Sequence, residues 1–192
     1  WPRRPSSKNG GRRRPPHPDM EDRQQRSIAS EEGLGPQGEA EWVRLRQEIE
    51  LAGAFWLGFV FSPSPPAVAV LASRTRNLLL LRGRSTRVLA AQSPEDLRSA
   101  LAWIFEPESA EAGCTWVEAV RLDSPPINDA PPGPWTAAWD HLLLRLNERR
   151  DALRRHLKGG LVLAAPPELK PRVREAAPDL WSVRSLVVEL QP

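Results

Sequence analysis

A chain of 192 residues with 40% hydrophobic content can bury one sizeable core, so we expect one folded domain rather than two. Its single cysteine, Cys114, excludes an internal disulfide and a thiolate zinc site, which favours a cytoplasmic location. No apolar run approaches the roughly 18 residues that cross a bilayer, so no membrane partner is expected.

The formal net charge of +3 arises from the N-terminus, where residues 1–38 are predicted to be a disordered tail rich in proline and arginine. The cations that precede the first acid are Arg3, Arg4, Lys8, Arg12, Arg13 and Arg14. Clustered cations of this kind can hold phosphate groups, so nucleic-acid binding through the tail is one hypothesis. The alternatives are a solubilising tail and upstream sequence that does not belong to the native protein.

Residues 39–192 are predicted to form a single α/β domain. It begins with a helix over 39–51, followed by the most apolar strand candidate, 55–61, which we place inside the sheet. Residues 67–82 favour a helix that Gly83 ends. Two short strands joined by a hairpin at 74–77 are the alternative for that segment.

The middle of the domain contains a strand over 86–90 and a strong helix start at Ser93, where serine, proline and two acids follow one another. That helix is expected to reach about Phe105. We predict a loop over 106–113, a strand over 115–122 and a stiff proline-rich linker over 124–134.

The C-terminal third carries the longest helical pattern. Leucines and Trp139 recur at spacings of three, four or seven up to Leu157, which predicts one continuous helix from about 135. Gly159-Gly160 is expected to end it through a left-handed glycine.

Two further strands are predicted at 161–165 and 186–188, with a short helix over 168–177 and a turn at Pro178-Asp179 between them. Alternating strands and helices favour an open, mostly parallel sheet of about five strands with helices on both faces.

The sequence shows no catalytic constellation, and we predict no cofactor, no metal site and no enzymatic activity. The loop after the first strand contains prolines where a phosphate loop needs glycines and a lysine. Glu118 and Asp123, near a strand end, are weak candidates for magnesium ligands. His141 and His156 lie about four helical turns apart and cannot share a metal. Cys114 is expected to be a buried, inert thiol.

Three segments carry a resemblance to a known family: 146–151, 160–163 and 177–184. Together they resemble the degenerate P-loop-NTPase-like α/β domain of bacterial NLR-like and tetratricopeptide-associated proteins of conflict or signalling systems. The resemblance implies a three-layer sheet and a sensing or scaffolding role. Candidate partner-binding residues are Asp179, Trp181 and Arg184. The alternative is a structural turn on the sheet edge, with Asp179 capping a helix and Arg184 paired to an acid.

The sequence therefore supports three functional hypotheses. The first is a non-catalytic protein-interaction or adaptor module of a bacterial defence or signalling system, whose partner is an effector, protease or repeat protein encoded nearby. The second is a nucleotide-responsive switch that binds ATP or GTP without hydrolysing it. The third is a nucleic-acid binder that uses the basic tail.

Overall fold

Five strands form one sheet in the structure, a computed structural model that describes residues 33–123 and 131–191. The strands are β1 Trp56–Phe61, β2 Thr86–Ala90, β3 Cys114–Glu118, β4 Gly160–Ala165 and β5 Leu186–Glu189. All neighbouring strands run parallel, in the order β2-β3-β4-β1-β5. The predicted open sheet of about five strands is confirmed, and β1 lies inside it between β4 and β5.

Helices connect and cover the strands. They are α1 Gly35–Leu51, α2 Pro65–Leu80, α3 Pro94–Ile104, α4 Pro107–Glu111, α5 Pro134–Glu148, α6 Arg150–His156, α7 Leu169–Ala176 and α8 Pro178–Ser182. Residues of α1 and α2 pack on one face of the sheet, and residues of α3, α5, α6, α7 and α8 pack on the other. The prediction of helices on both faces is confirmed. Among the described residues, no helix is both long and apolar enough to cross a membrane.

Two cores lie on either side of the sheet because alternate strand residues point to opposite faces. Trp116 is fully buried in the core beneath α1 and α2, and Trp139 is fully buried in the other. Strands β1 and β4 are buried along their whole length, as expected for interior parallel strands.

The order of the strands creates a crevice. The chain passes from β1 to the far edge at β2 across one face, then returns through β3 and β4 to β5 across the other. The connections that follow the neighbouring strands β1 and β4 therefore leave toward opposite faces. Ligands of open α/β proteins bind at such a switch point, beyond the carboxyl ends of the strands.

The first helix begins earlier than predicted, at Gly35 rather than residue 39. Gly35 adopts a φ of +69°, and Pro36 occupies the first turn, where its missing N–H costs nothing. Gly38 lies against Leu34, so closely that an added Cβ would lie 2.6 Å from the Leu34 Cβ. Residues 35–38, which were assigned to the predicted tail, thus form the first turn of α1. The rest of the predicted tail, residues 1–32, lies outside the described residues, as does 124–130 of the predicted linker.

The prediction of one continuous helix from 135 to 157 is wrong in one detail. The helix is interrupted at Arg149, whose backbone φ of −104° and ψ of 16° separates α5 from α6. Hydrogen bonding nearly continues across the break, since Leu153 N–H donates to the Arg149 carbonyl at 2.8 Å. The apolar stripe therefore remains in register across it.

The glycine pair at 159–160 does not act as predicted, because neither residue has a positive φ. Both are instead required by close packing. A Cβ on Gly159 would lie 2.4 Å from the carbonyl oxygens of Ala112 and Gly113, and one on Gly160 would lie 2.1 Å from the Trp56 ring.

Local predictions elsewhere are mostly confirmed. The segment predicted as a helix over 67–82 is helical as far as Leu80, in α2, rather than a hairpin, and β2 has the predicted bounds. The loop predicted over 106–113 instead contains the short helix α4, which Pro107 begins. The turn at Pro178-Asp179 is the first turn of α8. The third strand ends at Glu118 rather than residue 122.

Candidate interaction surface

The loop after β1 lies where a phosphate loop would be needed, and its backbone donors are already used. Ser62 N–H donates to the Ala165 carbonyl at 3.0 Å, and Ser64 N–H donates to Ser62 Oγ at 3.0 Å. At the start of α2, the N–H groups of Ala67 and Val68 both donate to Ser64, at 3.4 and 3.2 Å. The other residues of the loop and first turn, Pro63, Pro65 and Pro66, have no N–H to offer. This loop therefore supplies no backbone donor to a phosphate.

A cleft of about 440 Å³ lies beside this loop, at the carboxyl ends of β1 and β5. Its charged side chains pair with neighbours: Arg44 Nη1 lies 2.9 Å from Glu41, and Glu189 pairs with Lys170. The cleft thus offers a ligand few unsatisfied charges.

The acids proposed as weak magnesium candidates do not form a metal site. Asp123 Oδ2 accepts a hydrogen bond from the Thr136 N–H at 2.9 Å, so it caps the first turn of α5. Glu118 is the last residue of β3. Within residues 33–123 and 131–191, no three His, Cys, Asp or Glu side chains gather where they could hold a metal ion.

His141, His156 and Cys114 have different surroundings. His141 is exposed, whereas His156 Nε2 lies 3.2 Å from the Glu106 carbonyl and its ring lies 5.1 Å from that of Phe105. Cys114 is fully buried, as predicted, and burial raises the pKa of its thiol to about 12. A buried thiol with a raised pKa is not poised as a nucleophile.

Trp181 is a rigid part of the surface. It lies in α8, and its half-buried ring packs 5.4 Å from the ring of Phe59 in β1, centroid to centroid. The helix is fixed to α5 because the Leu180 N–H donates to Asn147 Oδ1 at 2.8 Å. The tryptophan is therefore held by both the sheet and a neighbouring helix.

Two exposed arginines lie on this ring. The Arg184 guanidinium carbon is 4.0 Å from the Trp181 ring centroid and that of Arg174 is 5.0 Å away, both within cation–π distance. Arg184 Nη1 also donates to the Trp181 carbonyl at 2.6 Å. No described acidic side chain forms an ion pair with either arginine, so the predicted pairing of Arg184 to an acid is not found.

Asp179, the third predicted residue, precedes Trp181 by two residues in α8, and its side chain is 64% exposed. Its carboxylate is 4.0 Å from Arg150 Nη1, at the limit of an ion pair, and its side chain makes no helix-capping hydrogen bond. Arg184 thus contacts the Trp181 ring, whereas the Asp179 carboxylate lies near Arg150. The basic residues of the tail, from Arg3 to Arg14, lie outside the described residues.

Sequence reasoning missed Arg174, Phe59 and Asn147. Arg174 belongs to α7, and the backbone bend at Ala177, with φ −137° and ψ 57°, brings α7 and α8 together around the tryptophan. No periodicity in the sequence predicts that bend. Phe59 appeared only as one residue of an apolar strand.

The sequence matches no protein-family model and no curated protein. Among solved structures, a chain of the structure of Drosophila ORC bound to AT-rich DNA and Cdc6 aligns with a TM-score of 0.46 and 13% identity, over 97% of this chain and 36% of that chain. A chain of Drosophila ORC bound to DNA aligns with a TM-score of 0.43 and 12% identity, over 97% and 37%. This chain therefore spans little more than a third of either neighbour. Likenesses at this level carry no argument about function, and the parallel α/β architecture rests on the sheet itself.

Proposed function

We propose that this chain is a non-catalytic protein-interaction module, and that it binds an acidic segment of a partner protein through Trp181, Arg174 and Arg184. The observation that carries the proposal is the stacking of two guanidinium groups, neither ion-paired with a described residue, on one half-buried tryptophan. We place the module in a bacterial defence or signalling system, with a partner encoded nearby, on the strength of the family resemblance alone.

The chemistry of this surface is that of an interaction hot spot. Tryptophan and arginine are the residues that contribute most to binding energy at protein interfaces, where they are usually preorganised and shielded from water. Contacts with Phe59 and Asn147 hold this surface in place, so little conformational entropy is lost on binding. Each planar guanidinium can donate two parallel hydrogen bonds to a carboxylate.

The hypothesis of a nucleotide switch requires a phosphate-binding loop after β1, and the structure of the β1–α2 loop gives it less support. The β1–α2 loop has prolines at three positions, and its N–H groups bond within the protein. A triphosphate would find there neither a nest of amides nor a lysine.

Titration of the purified products of neighbouring genes onto the full chain tests the proposal. Charge reversal by Arg174→Glu with Arg184→Glu is expected to weaken the binding of one such partner about 30-fold or more, since hot-spot substitutions cost about 2 kcal/mol or more. Both side chains are exposed, so the variant should unfold at the same temperature as the parent.

Arg154→Glu is the matched control, because this exposed arginine of α6 likewise forms no ion pair with a described residue. It should leave the dissociation constant unchanged. A partner that binds the double variant as tightly as the parent, or no binding by any neighbouring product, would contradict the proposal.

A further inference from the structure

The free edge of β2 lies at the side of the sheet away from Trp181, which packs on β1. Every residue of β2 is partly exposed, although the strand belongs to the sheet. The other edge strand, β5, is covered differently: α1 packs along it, and Gln37 Nε2 lies within hydrogen-bond distance of the Glu189 carbonyl. Among the described residues, no element lies alongside the outer edge of β2.

Three residues direct their backbone groups to this edge. In a parallel ladder, alternate residues bond to one neighbour, and the Ala91 N–H donates to the Glu118 carbonyl of β3 at 2.9 Å. The odd-numbered residues of β2 therefore bond to β3, and Thr86, Val88 and Ala90 point their N–H and C=O groups outward. One described side chain meets them: the Nε2 of Gln92 lies 3.4 Å from the Ala90 carbonyl.

The edge also lacks the devices that usually prevent pairing between sheets. The strand contains no proline, and its one charged residue, Arg87, is turned away from the edge. The Arg87 guanidinium donates to Ser109 Oγ at 2.6 Å and to Glu106 at 2.8 Å, and lies 4.5 Å from the Trp103 ring centroid. The Arg87 side chains of two approaching β2 edges would therefore not face each other.

A stripe on α2 borders the same edge. Ala69, Ser73 and Arg76 line a groove of about 430 Å³ above Val88 and Ala90. Leu80 lies four residues after Arg76 on the same helical face, and it is 69% exposed. The stripe thus combines small residues at one end with an exposed large apolar residue at the other.

We propose that the free edge of β2 pairs with the same edge of a second copy of this chain, antiparallel about Val88. A twofold axis there makes Val88 and its symmetry mate a hydrogen-bonded pair, and it sets Thr86 opposite Ala90 of the partner. Each of these pairs exchanges two backbone hydrogen bonds, so every outward-pointing group of the strand is satisfied.

The same axis brings the two α2 helices together. Since α2 contacts β2 and β3, and strands lie about 4.8 Å apart, the two α2 helices come within about 10 Å, a packing distance. They run antiparallel, so the exposed Leu80 of each copy lies on the side of the partner's helix where that helix begins.

Sedimentation of the full chain across the micromolar range is expected to show a dimer, with twice the monomer mass of 21.5 kDa. Leu80→Lys should weaken dimerisation at least about tenfold, because it places an ammonium group in the contact. Leu144→Lys, at a half-exposed position of α5 on the other face, should leave it unchanged.

An engineered disulfide tests where the twofold axis lies. The Cα atoms of a hydrogen-bonded antiparallel pair lie about 5.5 Å apart, within the range of roughly 4.4–6.8 Å that a disulfide spans. Val88→Cys should therefore oxidise to a covalent dimer, whereas Thr86→Cys, four residues from its own mate, should not. The buried native Cys114 does not compete. A chain that stays monomeric throughout, or a dimer in which Thr86→Cys cross-links as readily as Val88→Cys, would overturn the proposal.

Discussion

Gly160 shows how one absent side chain sets the position of a strand. It opens β4 beside the ring of Trp56, which is only 4% exposed, and an added Cβ would lie 2.1 Å from that ring. We expect Gly160→Ala to lower the free energy of unfolding by about 1–3 kcal/mol, because the buried indole cannot move without disturbing the core. Chemical denaturation measures this change.

Gly53→Ala is the control for that substitution, since a Cβ there would meet nothing within 4 Å. Its effect should stay within about 0.5 kcal/mol. Equal stabilities of the two variants would show that the contact between Gly160 and Trp56 is looser than described.

Single residues also mark the limit of sequence-based prediction at the candidate site. Asp179, Trp181 and Arg184 are candidates because they lie in the last of the three segments that carry the family resemblance, where they are expected to be exposed. Their partner Arg174 was not a candidate, because its role depends on the bend at Ala177 between two helices. Gly159 and Gly160 were predicted to end a helix by their conformation, but their role is a contact with residues distant in sequence.

At the scale of elements, apolar runs and capping signals predicted the positions of most helices and strands. Ser93 forms the expected helix start: its Oγ accepts the Asp96 N–H at 3.2 Å, while Asp96 Oδ2 accepts the Ser93 N–H at 2.9 Å. The order β2-β3-β4-β1-β5 was not predicted, since an apolar run does not specify which strand lies beside it.

The β1–α2 loop yields a prediction at this scale. ATP or GTP with Mg²⁺ is expected to leave the melting temperature of the chain unchanged, because the amides of the loop are already bonded. A ligand at about 100 times its dissociation constant would stabilise the fold by about 2.7 kcal/mol, which thermal unfolding detects readily. A clear rise in melting temperature would favour the nucleotide switch over the interaction module.

At the scale of the whole molecule, the hypothesis of nucleic-acid binding through the tail can be separated from the fold. Deleting residues 1–32 leaves α1 complete, since that helix begins at Gly35. We expect the melting temperature to change by less than about 2 °C, while affinity for a short DNA duplex at low salt falls at least about tenfold as the cations of the tail are removed.

Fluorescence anisotropy over a series of salt concentrations measures that affinity. Binding that is as tight without residues 1–32 as with them would assign any nucleic-acid contact to the folded domain instead.

Strand order also constrains how this chain folds as it is synthesised. β1 is the second described element to leave the ribosome, yet its two neighbours, β4 and β5, are made only about a hundred residues later. Until then the segment from Trp56 to Phe61, buried along its length in the finished protein, has both edges unpaired. Pairing of β1 must therefore await the synthesis of β4 and β5, and a nascent chain that stalls before Gly160 exposes an aggregation-prone strand that chaperones would have to protect.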